Sequence, residues 1–343
     1  MRFYIEKLAA IPRLNLLQGP TPLQRAERLE AELAREGIRV NIYLKRDDFM
    51  SLGGGGNKLR KLEYHLAAVQ SDQHDTVVTF GGIQSNHARL TAAACAKLGM
   101  ECHLILTDQV SVEGDEYRKS GNTLLNGLFG AHACLLPSGF TAQAFANELE
   151  AGLTARGRCV SVIPTGGSTP LGALGYVQCA IELKAQAEAL KVAFRRVYVA
   201  NGSSGTHAGL SAGFVLQDVD PDIVKSFAVM GSARDARRAT MQLTQGTLNL
   251  LGSDRSILES DILIDDTQIG EGYGLPTQAM RDAVRLLART EGVLLDPVYS
   301  GKAFAGLLAD LRRGLYVSGD NVVFIMTGGT PGLFAYRETF QCE

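Results

Sequence analysis

Lys58 is the first residue in this 343-residue chain whose surroundings suggest chemistry. It ends the run Gly53-Gly54-Gly55-Gly56-Asn57-Lys58 and leads into Leu59, Leu62, Leu66 and Val69, a spacing that predicts an amphipathic helix. Lys58 then lies near the helix N-terminus, where the positive end of the dipole disfavours another positive charge and lowers the amine's pKa. A neutral lysine amine is the nucleophile that makes Schiff bases. Four glycines let the backbone come close to a bulky ligand. The same residues also describe a flexible surface loop with a solvated lysine, and this stretch alone does not choose between the two.

Two further loops supply complementary groups. Gly202-Ser203-Ser204-Gly205-Thr206-His207-Ala208-Gly209 follows an apolar run and opens a helical one, so its N–H groups and hydroxyls suit a phosphate at a helix N-terminus. It has no Gly-Lys-Ser/Thr ending and is out of register with G-x-G-x-x-G, which argues against a nucleoside triphosphate or a dinucleotide. A glycine-rich turn with no ligand is the alternative. Gly81-Gly82-Ile83-Gln84-Ser85-Asn86-His87 offers a hydroxyl, an amide and an imidazole suited to a carboxylate, or else simple N-capping by Ser85 or Asn86. His87 and His207 titrate near neutrality, yet a histidine in a helix-opening loop more often makes a structural hydrogen bond. Tyr273 and Tyr299, each flanked by turn residues, either present phenols to a pocket or pack beneath a loop.

The elements that must position these loops follow from the apolar pattern. Strand-length apolar runs alternate with longer stretches of helical period, the signature of an α/β fold with a parallel sheet covered on both faces. Thr76 to Phe80 reads as a strand, Gly81 to His87 as a turn, Ala88 to Leu98 as a helix closed by Gly99, and His103 to Leu106 as the next strand. Val197 to Ala200 begins a second such unit, and Val322 to Met326 is a late strand ending at Thr327-Gly328-Gly329. In every case the polar residues fall just beyond a strand's carboxyl end, where open α/β sheets bind ligands.

Composition narrows the partner. With 45% hydrophobic and 20% charged residues and a net charge of -2, the chain has no basic field for nucleic acid, so a small molecule is expected. Six cysteines (Cys95, Cys102, Cys134, Cys159, Cys179, Cys342) form no C-x-x-C pair, which disfavours a zinc site or disulfide framework and fits a reducing compartment. No metal is expected. The N-terminal residues lack a signal-peptide pattern, and no run reaches the ~18 apolar residues of a membrane span, so a cytoplasmic, membrane-free protein is expected.

Taken together, Leu44-Lys45-Arg46-Asp47-Asp48, Gly56 to Glu63, Gly82 to His87, Ser204 to Gly209, Leu295-Asp296-Pro297-Val298-Tyr299 and Thr327-Gly328-Gly329 resemble, in order, the family of D-cysteine desulfhydrases and 1-aminocyclopropane-1-carboxylate deaminases. The resemblance implies a two-lobed, tryptophan-synthase-β-like (fold-type II) enzyme of pyridoxal 5'-phosphate. Residues 1–60 and 168–343 would form the larger cofactor-binding lobe and 61–167 a smaller inserted lobe, with the cofactor in the cleft between them. By the same resemblance Lys58 carries the cofactor covalently, Ser203, Ser204, Gly205 and Thr206 hold its phosphate, Asn86 contacts its 3′-oxygen and Thr327 faces its ring nitrogen. Ser85 and His87 help bind the substrate carboxylate. Family members are commonly homodimers.

The deaminase pattern has a glutamate after the tyrosine of Asp-Pro-Val-Tyr, where Ser300 stands here, and an apolar residue where Thr327 stands. A neutral hydroxyl at the ring nitrogen suits β-elimination better than cyclopropane opening. The expectation is a lyase in which the substrate amine displaces Lys58 and the freed amine removes the Cα proton. Tyr273 and Tyr299 would assist the leaving group or clamp the substrate. D-Cysteine, giving pyruvate, sulfide and ammonia, is the first-choice substrate. L-Cysteate with loss of sulfite, 1-aminocyclopropane-1-carboxylate, and a non-catalytic cofactor-binding protein are the alternatives.

Overall fold

Strands buried on both faces need a continuous apolar run rather than an alternating one. The computed structural model, which describes residues 2–110, 112 and 114–341, places such runs in two sheets. Cys342 lies outside the described residues. In chain order the strands are β1 (Leu23–Arg25), β2 (Asn41–Lys45), β3 (Thr76–Gly82), β4 (Glu101–Thr107) and β5 (His132–Leu135), then β6 (Val160–Ile163), β7 (Phe194–Asn201), β8 (Val224–Ala228), β9 (Leu263–Asp265) and β10 (Asn321–Ile325).

The larger sheet has the order β1-β2-β10-β7-β8-β9 and is parallel except for the β1–β2 pair. The smaller has the order β5-β4-β3-β6 and is parallel throughout. The chain is therefore an α/β protein with mostly parallel sheets. Both faces of the larger sheet are covered, because Phe324 packs with Ile42, Leu44 and Leu307 while its neighbour Val323 packs with Tyr176, Val199 and Leu210. Among the described residues no helix is long and apolar enough to cross a membrane.

Three helices, Lys58–Ser71, Pro170–Leu190 and Gly205–Val215, lie close together because glycines let their backbones approach. A Cβ on Gly175 would come within 2.2 Å of the Arg60 carbonyl oxygen, and one on Gly209 within 2.2 Å of the Ala173 carbonyl oxygen. These contacts carry the first helix up to the loop that opens the third, and so bring Lys58 beside Thr206.

The Lys58–Ser71 helix departs from the amphipathic expectation. Leu59, Leu62, Leu66 and Val69 do pack into the core of the smaller sheet. However, Arg60, Lys61, Glu63, Tyr64 and His65 are buried as well, so the helix has no solvent face before its last turn. Its polar side anchors it instead. Arg60 donates to both Asp47 carboxylate oxygens and to Glu182, while the Tyr176 hydroxyl donates to Asp47 and Lys45 pairs with Glu182. The Glu63 carboxylate accepts from the N–H groups of Leu16 and Leu17. Periodicity missed this because a helix surrounded by protein fills its polar positions with paired charges rather than with solvated ones.

Candidate active site

The polar loops converge on one cleft, of about 1090 Å³ when space open to solvent is counted, at the carboxyl ends of β3, β7 and β10. Lys58, Ser85, Asn86, His87, Ser203, Ser204, Thr206, Tyr273, Tyr299 and Thr327 all border it. Gly205 is not among the bordering residues but stands between Ser204 and Thr206.

Lys58 begins its helix, and its amine donates to Asn57 Oδ1 at 3.1 Å. Asn57 Nδ2 donates in turn to Thr206 Oγ1 at 3.0 Å, so a single amide links the lysine to the hydroxyl loop. Burial lowers the Lys58 pKa to about 8 against the opposing pull of the Asp296 carboxylate. Desolvation is thus the main cause of the depressed pKa, where the sequence pointed to the helix dipole. The glycine run also differs from expectation, since none of Gly53 to Gly56 borders the cleft. All four have positive φ, and the run folds back on the protein itself. A Cβ on Gly55 would lie 2.3 Å from the Asp48 carbonyl oxygen, and one on Gly53 would lie 2.5 Å from Ala93 Cβ. Gly56 pairs with Gly328, and the Asn57 N–H donates to the Thr327 carbonyl, which fixes Lys58 against the end of β10.

On the larger-sheet side, the turn after β7 is held by Asn201, whose Oδ1 accepts from the Ser204 N–H. Ser204 adopts φ +66, a left-handed conformation uncommon for a residue with a side chain, and the next residue starts the Gly205–Val215 helix. Ser203 Oγ and Ser168 Oγ are 2.8 Å apart. Lys61, inside the segment Gly56 to Glu63, supplies a further donor here. Its amine donates to Ser168 Oγ at 3.1 Å and to the Gly166 carbonyl at 3.2 Å. A Cβ on Gly205 would sit 2.7 Å from Ser168 Oγ and 2.8 Å from Lys61 Nζ, so only glycine keeps that space free. Burial, and then the neighbouring Lys58, push the Lys61 pKa well down, as expected of a cation awaiting an anion. Its signal was its place one turn after Lys58.

On the smaller-sheet side, Gly81 has no room for a side chain because a Cβ would lie 2.4 Å from Ser85 Oγ. Ser85 caps the Asn86–Leu98 helix by accepting from the Ala88 N–H, which leaves its own proton free to donate. Asn86 Oδ1 accepts from Asn122 Nδ2 at 2.9 Å, which turns the Asn86 amide nitrogen outward as a donor. His87 Nε2 is 2.9 Å from Thr79 Oγ1, and that hydroxyl donates to the Ile163 carbonyl. Thr79 must therefore accept from His87, which places the imidazole proton on Nε2 and leaves Nδ1 as an unpartnered lone pair. Burial and the nearby Lys58 keep His87 neutral, with its pKa well below the usual range. An acceptor lone pair does not suit a carboxylate, and here the geometry departs from the role that the resemblance implied. His207, bonded through Nδ1 to Ser226 Oγ at 2.7 Å, is likewise kept neutral by burial.

The last wall carries the two phenols, whose oxygens are 2.6 Å apart. Burial raises the pKa of both Tyr273 and Tyr299, so both stay protonated at neutral pH. Tyr299 stands at the start of the Ser300–Arg312 helix, where Asp296 accepts from the N–H groups of Val298, Tyr299 and Ser300 and from the Ser300 hydroxyl. Ser300 is buried under the site and does not border the cleft.

One cluster lies outside this cleft. Donor atoms of Glu101, His103 and His132, at the opposite end of β4 and on β5, fall within 4.8 Å of one another. The two imidazoles are stacked at an interplanar angle of 24°, and His103 Nε2 lies 2.7 Å from Glu101 Oε1. Arg158 already pairs with Glu101 at 2.7 Å.

The family model described as "Pyridoxal-phosphate dependent enzyme" matches residues 14–328. A D-cysteine desulfhydrase of Serratia proteamaculans is 42% identical over 333 residues, covering 97% of this chain and 98% of that protein. One of Yersinia pestis is 43% identical with the same coverage. A solved structure described as an ACC deaminase homologue superimposes with a TM-score of 0.86 at 34% identity, covering 99% of this chain and 98% of the other.

Proposed function

The chain belongs to the pyridoxal-phosphate dependent enzyme family, and from that premise we propose that it is a carbon–sulfur lyase converting D-cysteine to pyruvate, sulfide and ammonia. The observation that carries this reading is one cleft joining a lysine of lowered pKa, an anion cradle and a pair of protonated phenols. Likeness to the Serratia and Yersinia desulfhydrases along nearly the whole chain supports the choice of substrate.

The residues present fit the cofactor. The space that a Gly205 side chain would fill is bordered by the Ser168 hydroxyl and the Lys61 ammonium, a donor set suited to a phosphate dianion. Lys58, partly neutral near pH 8, suits covalent attachment, and Asn86 Nδ2 suits an anionic ring oxygen. Pyridoxal phosphate, when bound, supplies the electron sink that stabilises negative charge at the substrate Cα. The rest is the work of the chain. Lys58 would hold the cofactor and, with its amine free, would take the proton from the substrate Cα. Ser85 donates its hydroxyl to the substrate carboxylate. Thr327 offers a neutral hydroxyl, and so no extra positive charge is enforced at the ring nitrogen. Tyr273 and Tyr299 hold one proton within reach of the departing sulfur, and their raised pKa keeps it available.

In this reading residues 1–60 and 168–343 form the cofactor-binding lobe and 61–167 the smaller one. The enzyme is then a cytoplasmic homodimer, which sedimentation of the purified protein tests.

The deciding experiment offers D-cysteine, L-cysteine, L-cysteate and 1-aminocyclopropane-1-carboxylate to the cofactor-loaded protein and to Lys58→Ala. Pyruvate and sulfide from D-cysteine are expected, with turnover in the variant lower by roughly three orders of magnitude. Sulfite from L-cysteate, or ammonia from the cyclopropane alone, would replace the substrate assignment. Full turnover by the variant would remove Lys58 from the reaction.

A further inference from the structure

Lys302 is fully buried yet has no carboxylate partner among the described residues. It lies one turn after Tyr299 on the Ser300–Arg312 helix. Its ammonium donates to the Ile269 carbonyl at 2.6 Å and to the Gly272 carbonyl at 2.9 Å. The second of these belongs to the peptide group that joins Gly272 to Tyr273. Both carbonyls lie in the loop 266–277 between β9 and the Gln278–Glu291 helix, which has no regular secondary structure.

Within that loop two turn bonds, Ile269 N–H to Asp266 and Leu275 N–H to Gly272, close the chain on itself. Among the described residues, the hydrogen bonds by which residues 268–276 reach beyond the loop are the two from Lys302 and the Tyr273–Tyr299 phenol contact. The remaining attachment is apolar, with Tyr273 and Leu275 packed against Ile83, Val110 and Val298. Apolar packing fixes depth but not the rotation of a peptide group, whereas two directed bonds from one ammonium do.

We infer that Lys302 is a positioning residue that sets Tyr273 against Tyr299. Rooted on the helix that Tyr299 opens, it grips the peptide preceding Tyr273, so that one helix carries one phenol and aims the other. A methionine or leucine would fill the same space without the desolvation that lowers this lysine's pKa to about 8, so the lysine is there for its polar contacts. The role rests on the functional reading above only in that Tyr273 faces the substrate.

The test uses the cofactor-loaded protein with Lys302→Met, Tyr273→Phe and the double variant. Amide hydrogen exchange of peptides spanning 268–276 is expected to rise about tenfold in Lys302→Met, with the β3 and β7 peptides unchanged. Turnover of D-cysteine is expected to fall about tenfold at little change in KM, and the same substitution in the Tyr273→Phe background should cost almost nothing further. Unchanged exchange in 268–276 would overturn the inference, as would an equal loss of turnover with and without the Tyr273 hydroxyl. If the wild-type protein leaves D-cysteine untouched, the substrate assignment fails while the exchange comparison still decides the role of Lys302. Should Lys302→Met fold poorly, Lys302→Gln, which keeps one donor, is expected to fall between it and the wild type in exchange.

Discussion

The two sheets present the cleft with the same device, a strand, a short glycine-containing turn and a helix N-terminus, and equip it differently. After β7 the turn is strained at Ser204, and the amine of Lys61 is linked to the Ser203 hydroxyl through Ser168. After β3 the turn is relaxed and uncharged. Ser85 caps its own helix, Asn86 is held by Asn122, and His87 is held by Thr79. A dianion that stays bound through many turnovers calls for a full opposing charge fixed in place, whereas a substrate carboxylate that must leave is better met by a few neutral donors. On the proposed function, the same supersecondary unit would make a permanent grip on one side and a transient one on the other.

The largest way to break this contrast is to remove the charge from the permanent side. Lys61→Met keeps most of the side-chain volume and deletes the ammonium. Cofactor affinity, measured by titrating cofactor-free protein with pyridoxal phosphate, is expected to fall about a hundredfold, the worth of one good charge-assisted hydrogen bond. The KM for substrate at saturating cofactor should stay within about a factor of two to three of the wild type. Unchanged cofactor affinity would mean that the Ser203–Thr206 turn binds its anion through hydroxyls and N–H groups alone.

Much of this arrangement was legible in the sequence because it is local. The runs Thr76 to Phe80, Val197 to Ala200 and Val322 to Met326 announce buried parallel strands, and the polar residues directly after them mark the cleft. Lys61, Asn57 and Asn122 were not legible as site residues because their roles depend on partners more than 30 residues away, at Ser168, Thr206 and Asn86. The glycine run misled for a related reason. Its neighbours in space are the backbone of Asp48 and the side chain of Ala93, and no pattern within the run distinguishes close approach to a ligand from close approach to the protein itself.

A smaller effect sharpens the comparison through pH. Each turn contributes a histidine to the first turn of its helix, His87 and His207, and burial holds both neutral. The His207 pKa is about 3 in the folded protein against 6.5 for the ordinary group, so below pH 6.5 the unfolded chain takes up a proton that the folded chain does not. Its stabilising effect is complete above pH 6.5 and is lost as the pH falls. Between pH 7 and pH 5 this amounts to about 2 kcal/mol. Urea unfolding at the two pH values should show a smaller loss for His207→Gln than for the wild type, by about that amount. An equal loss would mean that His207 takes up its proton over the same pH range in the folded and unfolded states, so that burial does not hold it neutral.

The smallest effect separates the two turns most directly, because it removes one hydroxyl from each. Ser85→Ala deletes the cap of the Asn86–Leu98 helix, at about 1 kcal/mol of stability, together with the donor proposed for the substrate carboxylate. Its KM for D-cysteine is expected to rise up to about tenfold while cofactor affinity is preserved. Ser203→Ala deletes the partner of Ser168 and should do the reverse, lowering cofactor affinity by up to about tenfold and leaving KM in place. Crossed results, with Ser85 affecting the cofactor as much as the substrate, would mean that the two turns share one ligand-binding task and that their different electrostatics have another cause.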